Sequence, residues 1–166
     1  MATLSLKARA IALLAQREHS AVELRRKLMR IARAWLEPGP AAEAEAEHAS
    51  ATDPAGEVDV LIVWLQAQGY LDEARFVESR LHVRAARHGN LRIEQELAQH
   101  GLVLGAEQKA ALKDSEFERA RSIWLRKFGS AGEDAAARAK QMRFLAGRGF
   151  SSDVIRRLLR EGARQD

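Results

Sequence analysis

The sequence predicts an all-α fold. Apolar residues recur at spacings of three and four from one end to the other, the signature of helices that bury one face. No segment shows sustained two-residue alternation bounded by hairpin turns. A helical passage near the start, LLAQREHSAVELRRKL at 13–28, is written again near the end as FLAGRGFSSDVIRRLL at 144–159. Aligned without a gap, Leu14 meets Leu145, Arg17 meets Arg148, Ser20 meets Ser151, Leu24 meets Ile155 and Leu28 meets Leu159, while Arg25 and Arg26 meet Arg156 and Arg157.

The elements follow in order. Residues 4–17 form a first helix. Ser20 and Glu23 make an S-x-x-E capping box that opens a second, whose stripe Leu24, Leu28, Ile31 and Trp35 steps by four, three and four. Val58, Leu61, Ile62 and Leu65 define another stripe, then Ala74, Val77 and Leu81, then Ile93 and Leu97. After a helix at 105–113, Ser115 with Glu118 reads as a second capping box, starting a helix with Phe117, Ala120, Trp124 and Phe128 on one side. Ala139, Met142 and Leu145 mark a late helix, and 152–161 completes a set of nine.

The helix ends carry their own signal. Gly69, Gly101 and Gly149 each precede an apolar residue (Tyr70, Leu102, Phe150) and each follows a leucine by four positions (Leu65, Leu97, Leu145). With glycine in the left-handed position after a helix, that leucine reaches the apolar residue beyond the turn, as in a Schellman motif. In the first copy Glu18 and His19 stand where the glycine and aromatic would be, so that turn requires a different construction. Tyr70, Phe76 and Phe150 fall at capping or core-facing places, which removes them as base-stacking platforms.

Helix, sharp turn and helix, closed by a third helix, divide the chain into three units. The first is 1–36, with 55–69 as a candidate third helix. The middle is 58–113 and the last is 114–166. The shared motif starts at Leu14, Leu65, Leu97 and Leu145, spacings too uneven for a regular array. Modules of this size bury modest apolar area and need neighbours, so an elongated row, with room to curve, is expected. Between the first two lies 37–57, EPGPAAEAEAEHASATDPAGE, where Pro38, Pro40, Pro54 and acidic filler without an apolar stripe read as a linker.

Composition narrows the function. The chain has 166 residues, no cysteine, 46% hydrophobic residues and a net charge of +4. Cysteine-free composition removes disulfides, thiol catalysis and thiolate metal sites, and fits a reducing compartment. With no apolar run of the roughly 20 residues a membrane span requires, a cytoplasmic protein is the expectation. No nucleotide-binding loop is present: GSAG at 129–132 lacks the strand and spacing. His82 and His88 are six apart, and His19, His48 and His100 have no histidine nearby, so neither a metal site nor a catalytic constellation nor a cofactor is expected.

Charge is distributed unevenly. Residues 1–36 carry +6, 37–57 carry −6, 58–114 carry −1 and 115–166 carry +5, and arginine outnumbers lysine 21 to 6. Basic ends of this kind favour polyanions or an acidic protein surface, and guanidinium forks suit bidentate contact with phosphate or carboxylate. Arg80, Arg84 and Arg87 share one side of a helix, with Arg92 at the start of the next. They read either as a binding ridge or as a solvated back balanced by Asp72, Glu73 and Glu78. A second group, Arg148, Arg156, Arg157 and Arg160, is echoed by Arg17, Arg25 and Arg26.

Several strings together resemble a known family. LLAQREHSAVELRRKL, GYLDEARFVESRLHVRAARHGNLRIEQEL followed by QHGL, and RFLAGRGFSSDVIRRLL occur in the order and at the distances of the RecX family, bacterial regulators of the RecA recombinase. The resemblance spans most of the chain outside 37–57 and 103–135. Glu73 departs from it, standing where a second aspartate is usual after Asp72, as does the acidic insert. The resemblance implies three repeated three-helix units and a non-enzymatic role; a monomer is expected. It also implies binding to the RecA filament on single-stranded DNA, with lowered RecA ATP hydrolysis, strand exchange and co-protease activity. Weak affinity for single- and double-stranded DNA goes with it. Two other classes stand beside this one: a helix-turn-helix transcription regulator reading a specific site, and an interaction scaffold that never meets nucleic acid.

Overall fold

The computed structural model describes residues 5–36 and 53–163. Eight helices and no strand occur among the described residues: α1 Leu6–Gln16, α2 Ala21–Leu36, α3 Pro54–Ala67, α4 Glu73–Ala85, α5 Asn90–Ala98, α6 Ala106–Phe128, α7 Ala135–Gly147 and α8 Ser152–Gly162. They belong to two compact units, residues 1–76 and 77–166. Of the acidic stretch, 37–52 lies outside the described residues, and its last part is helical. Asp53 accepts hydrogen bonds from the amides of Ala55 and Gly56, and Pro54 takes the first-turn position where its missing N–H costs nothing.

In the first unit α2 packs against both α1 and α3. Leu6 and Ala10 from α1, Leu24 and Leu28 from α2, and Val58, Ile62 and Leu65 from α3 form one buried cluster. Each such leucine contributes about 1.5–3 kcal/mol by leaving water. The Ser20 hydroxyl accepts from the Glu23 amide at 3.1 Å, the N-cap half of the expected capping box, while the Glu23 carboxylate turns to Arg17. Trp35 is exposed rather than core-facing, its ring lying under the Arg9 guanidinium.

In the second unit α6, α7 and α8 pack pairwise around Ala120, Ile123, Trp124, Leu145, Phe150, Ile155, Leu158 and Leu159, and α5 packs on α6. The helices expected at 105–113 and from Ser115 run on as one. No proline or glycine interrupts 106–128, and Ser115 Oγ donates back to the Ala111 and Leu112 carbonyls at 2.9 and 3.2 Å instead of capping a new start. On α7 the buried positions are Gln141 and Leu145, while Met142 is exposed. Gln141 closes the α6–α7 loop, donating to Ser130 O and accepting from the Gly132 amide.

The three predicted glycine turns are present. Gly69, Gly101 and Gly149 have φ of 72°, 72° and 81°. The amides of Tyr70, Leu102 and Phe150 donate to the carbonyls of Leu65, Leu97 and Leu145 at 3.0, 3.0 and 3.2 Å. Phe76 and Phe150 are buried, whereas Tyr70 is exposed and stacks on Trp64.

Candidate polyanion-binding surface

Two turns distant in sequence interlock in the second unit. The Gly89 amide donates to Arg148 O at 2.9 Å and the Leu91 amide to Gly149 O at 3.1 Å, so the α4–α5 turn lies directly on the α7–α8 turn. No side chain fits between them: a Cβ on Gly89 would sit 2.2 Å from Gly149 O. Glu116, buried in the middle of α6, holds the same junction from below. It accepts from the Asn90 amide at 3.1 Å, the Ser151 amide at 3.2 Å and the Ser151 hydroxyl at 3.0 Å. One carboxylate thus serves the starts of α5 and α8, where unsatisfied N–H groups and the positive ends of helix dipoles meet it. One turn along, Arg119 donates to the carbonyls of His88, Leu112 and Ala85, which ties down the end of α4. Burial lowers the Arg119 pKa, with the Glu116 charge opposing.

This junction gathers cations. Arg148 donates to Arg87 O at 3.0 Å and lies over the Phe144 ring at 4.7 Å. Arg92 packs its Cβ against Gly149 and, with Arg84, lines a polar cleft that also holds Glu96. Between them His88 has its pKa lowered, first by burial and then by Arg84, Arg148 and Arg92. Arg87 and Arg148 also line a second cleft with Arg126 and Lys127, two residues in the last turn of α6 that sequence spacing does not single out.

The other candidates separate by partner. Arg80 and Arg84 turn to Glu96, so part of the expected ridge is an internal ion network. Arg156 pairs with Asp153, and Arg157 pairs with Glu161 while covering Phe117. Arg160 is exposed, with no ion pair among the described residues. In the first unit Arg25 grips Asp59 at 2.6 and 3.1 Å. Arg26 is exposed without an ion pair among the described residues. Arg17, aligned with Arg148, instead clamps both oxygens of Glu23.

That clamp explains the turn without glycine. His19 takes the place Phe150 holds in the last copy and is as fully buried. Lys27 Nζ has only donors and stands 2.9 Å from His19 Nε2. Nε2 is therefore the acceptor, and Nδ1 carries the proton toward Arg17 O at 2.9 Å. Burial first, then Arg17 and Lys27, lower the His19 pKa. Burial raises the Glu23 pKa, but Arg17, His19 and Lys27 together outweigh it and bring it down to about 2. All three groups, His19, His88 and Glu23, thus bind protons less readily when folded, so stability rises with pH through their windows. The unfolding midpoint in urea is expected to fall as pH drops below about 6.5, from the histidines. It should fall again below about 4.5, where Glu23 withdraws on the order of 2–3 kcal/mol by pH 2. His19→Gln should reduce the first slope; an unaltered slope between pH 7 and 5 would refute the assignment.

Among the described residues no helix is long and apolar enough to cross a membrane, and no group of three His, Asp or Glu is placed to hold a metal.

Comparison with known proteins places this architecture. Residues 114–159 match the family model described as RecX, third three-helix domain. The chain is 45% identical over 159 residues to the regulatory protein RecX of Ralstonia nicotianae, spanning 94% of this chain and 87% of that one. It is 46% identical over 159 residues to the regulatory protein RecX of Leptothrix cholodnii, spanning 95% and 88%. The crystal structure of RecX from Lactobacillus salivarius shares the fold, with a TM-score of 0.63 over 96% of this chain and 95% of that one at 15% identity. With identity of this degree running through nearly the whole length, the chain belongs to the RecX family of regulatory proteins.

Proposed function

We propose that the protein is a non-enzymatic regulator of the RecA recombinase. It binds the RecA filament on single-stranded DNA, lowers ATP hydrolysis, strand exchange and co-protease activity, and touches DNA weakly and without sequence preference. Family membership supports the class of partner. The observation that carries the rest is the number of cations without ion pairs among the described residues, including Arg26 in the first unit and Arg87, Arg92, Arg126, Lys127, Arg148 and Arg160 in the second. Such charges, distributed over a helical scaffold, suit a repetitive polyanionic target, where several weak contacts add through avidity. The three-helix repeats expected at 1–36, 58–113 and 114–166 go with this reading, α6 then serving the last two.

A site-specific helix-turn-helix repressor fits the residues less well. Its recognition helix would lead with a free N-terminus into the major groove. The starts of α5 and α8, the helices that follow the two interlocked turns of the second unit, are instead occupied by Glu116, whose negative charge would meet phosphate unfavourably.

The test is RecA turnover. At stoichiometric protein, phosphate release by RecA on single-stranded DNA with ATP is expected to fall several-fold. Turnover that stays level across the titration would refute the reading.

A further inference from the structure

The cleft between the end of α6 and the α4–α5 turn gathers four cations over an apolar floor. Five arginines elsewhere in the unit have a carboxylate partner: Glu96 serves Arg80 and Arg84, Glu118 serves Arg121, Asp153 serves Arg156 and Glu161 serves Arg157. Around this cleft stand Arg87, Arg126, Lys127 and Arg148, and none has a carboxylate within ion-pair distance among the described residues. The recess they surround is small, about 190 Å³, and its floor is apolar, formed by Ile123, Phe144 and Ala86.

We propose that this cleft is a docking site for an acidic peptide segment that carries one bulky apolar side chain, presented by a protein partner. Charge complementarity supplies the first half of the argument. Four like charges brought together by folding repel one another, and an occupant with several carboxylates relieves this while forming fork-shaped contacts with the guanidinium groups. The floor supplies the second half. A phosphodiester chain brings charge but no group to cover Ile123 and Phe144, whereas a peptide brings both at residue spacing. Phe144 is also poorly placed as a nucleobase platform, because Arg148 covers one face of the ring and Phe128 meets it edge-on at 5.2 Å. The cations further balance the carbonyl ends of α4 and α6, a role compatible with an empty cleft but silent on its apolar floor.

The proposal rests on the reading above only in taking a protein assembly as the partner, and its test is separate. The full chain is titrated against three fluorescent probes: a short Glu/Asp-rich peptide containing one leucine, the same peptide with serine for leucine, and a single-stranded oligonucleotide. The leucine peptide is expected to bind about tenfold or more tightly than its serine counterpart, the factor that burying one leucine supplies. The double variant Arg126→Gln/Lys127→Gln, two exposed positions whose folding is checked by circular dichroism, should weaken the leucine peptide more than the oligonucleotide. Amide shifts on peptide addition should cluster at the end of α6 and in α7. Equal binding of the two peptides, leucine-peptide binding that the double variant leaves intact, or an oligonucleotide loss as large as the peptide loss would each overturn the proposal. If RecA turnover falls while the peptide fails to bind, only the cleft assignment is lost. If the peptide binds with leucine dependence while RecA turnover is unchanged, the filament reading is lost and the cleft stands.

Discussion

Alanine at Gly89 is expected to cost about 3 kcal/mol or more, lowering the melting temperature by roughly 10 °C. The backbone there has φ −79° and ψ 171°, which alanine adopts freely, so no part of the effect comes from dihedral strain. It comes from the added methyl, which would lie 2.2 Å from Gly149 O and 2.3 Å from Phe150 Cα. Those are main-chain atoms with no side-chain rotation to yield, so the two turns must separate and both bonds between them lengthen. Gly105 provides the control, with φ −65° and ψ 162°; a methyl added there would meet only Gln108 Oε1, at 3.6 Å. Gly105→Ala should cost no more than about 1 kcal/mol, the loss typical of a favourable N-cap residue replaced by alanine. Urea titration of both variants decides the matter, and equal losses would remove the close approach as the cause.

The second large effect is expected at Glu116. Alanine leaves the amides of Asn90 and Ser151 buried without their acceptor, each costing about 1–3 kcal/mol, for a total near 3–5 kcal/mol. Glutamine behaves differently, because the oxygen serving both amides is the same Oε1. An amide carbonyl placed there keeps both bonds and loses only the charge and the acceptor for Ser151 Oγ, a loss of about 1–2 kcal/mol. Chemical denaturation of the two variants separates these values. If glutamine proves as damaging as alanine, negative charge at the paired helix starts outweighs hydrogen-bond geometry.

The sequence shows part of this site plainly. Glycine caps are local, since a leucine, a glycine and an apolar residue within six positions contain the whole motif, and all three predicted turns form. Ser115–Glu118 misleads for the converse reason: its pattern is local, but a start requires an end before it, and 106–128 contains no breaker. Glu116 leaves a trace as the polar member of a four-residue spacing that runs Leu112, Glu116, Ala120, Trp124, all buried. Its partners are 26 and 35 residues away, and no local rule names them. The arginine ridge shows the same limit. Helical spacing correctly brings Arg80 and Arg84 together, but only the tertiary position of Glu96 turns them inward and leaves Arg87 on the cleft. Arg126 and Lys127 are visible in the sequence only as part of the +5 carried by 115–166.

The unbroken α6 makes a lever of these parts. At 1.5 Å per residue, Arg126 lies about 15 Å along the rod from Glu116. A tilt of a few degrees about that fulcrum carries the guanidinium roughly 1 Å, enough to lengthen a charged contact appreciably. Changes far from any ligand, in the packing around the fulcrum, therefore adjust the grip at the tip.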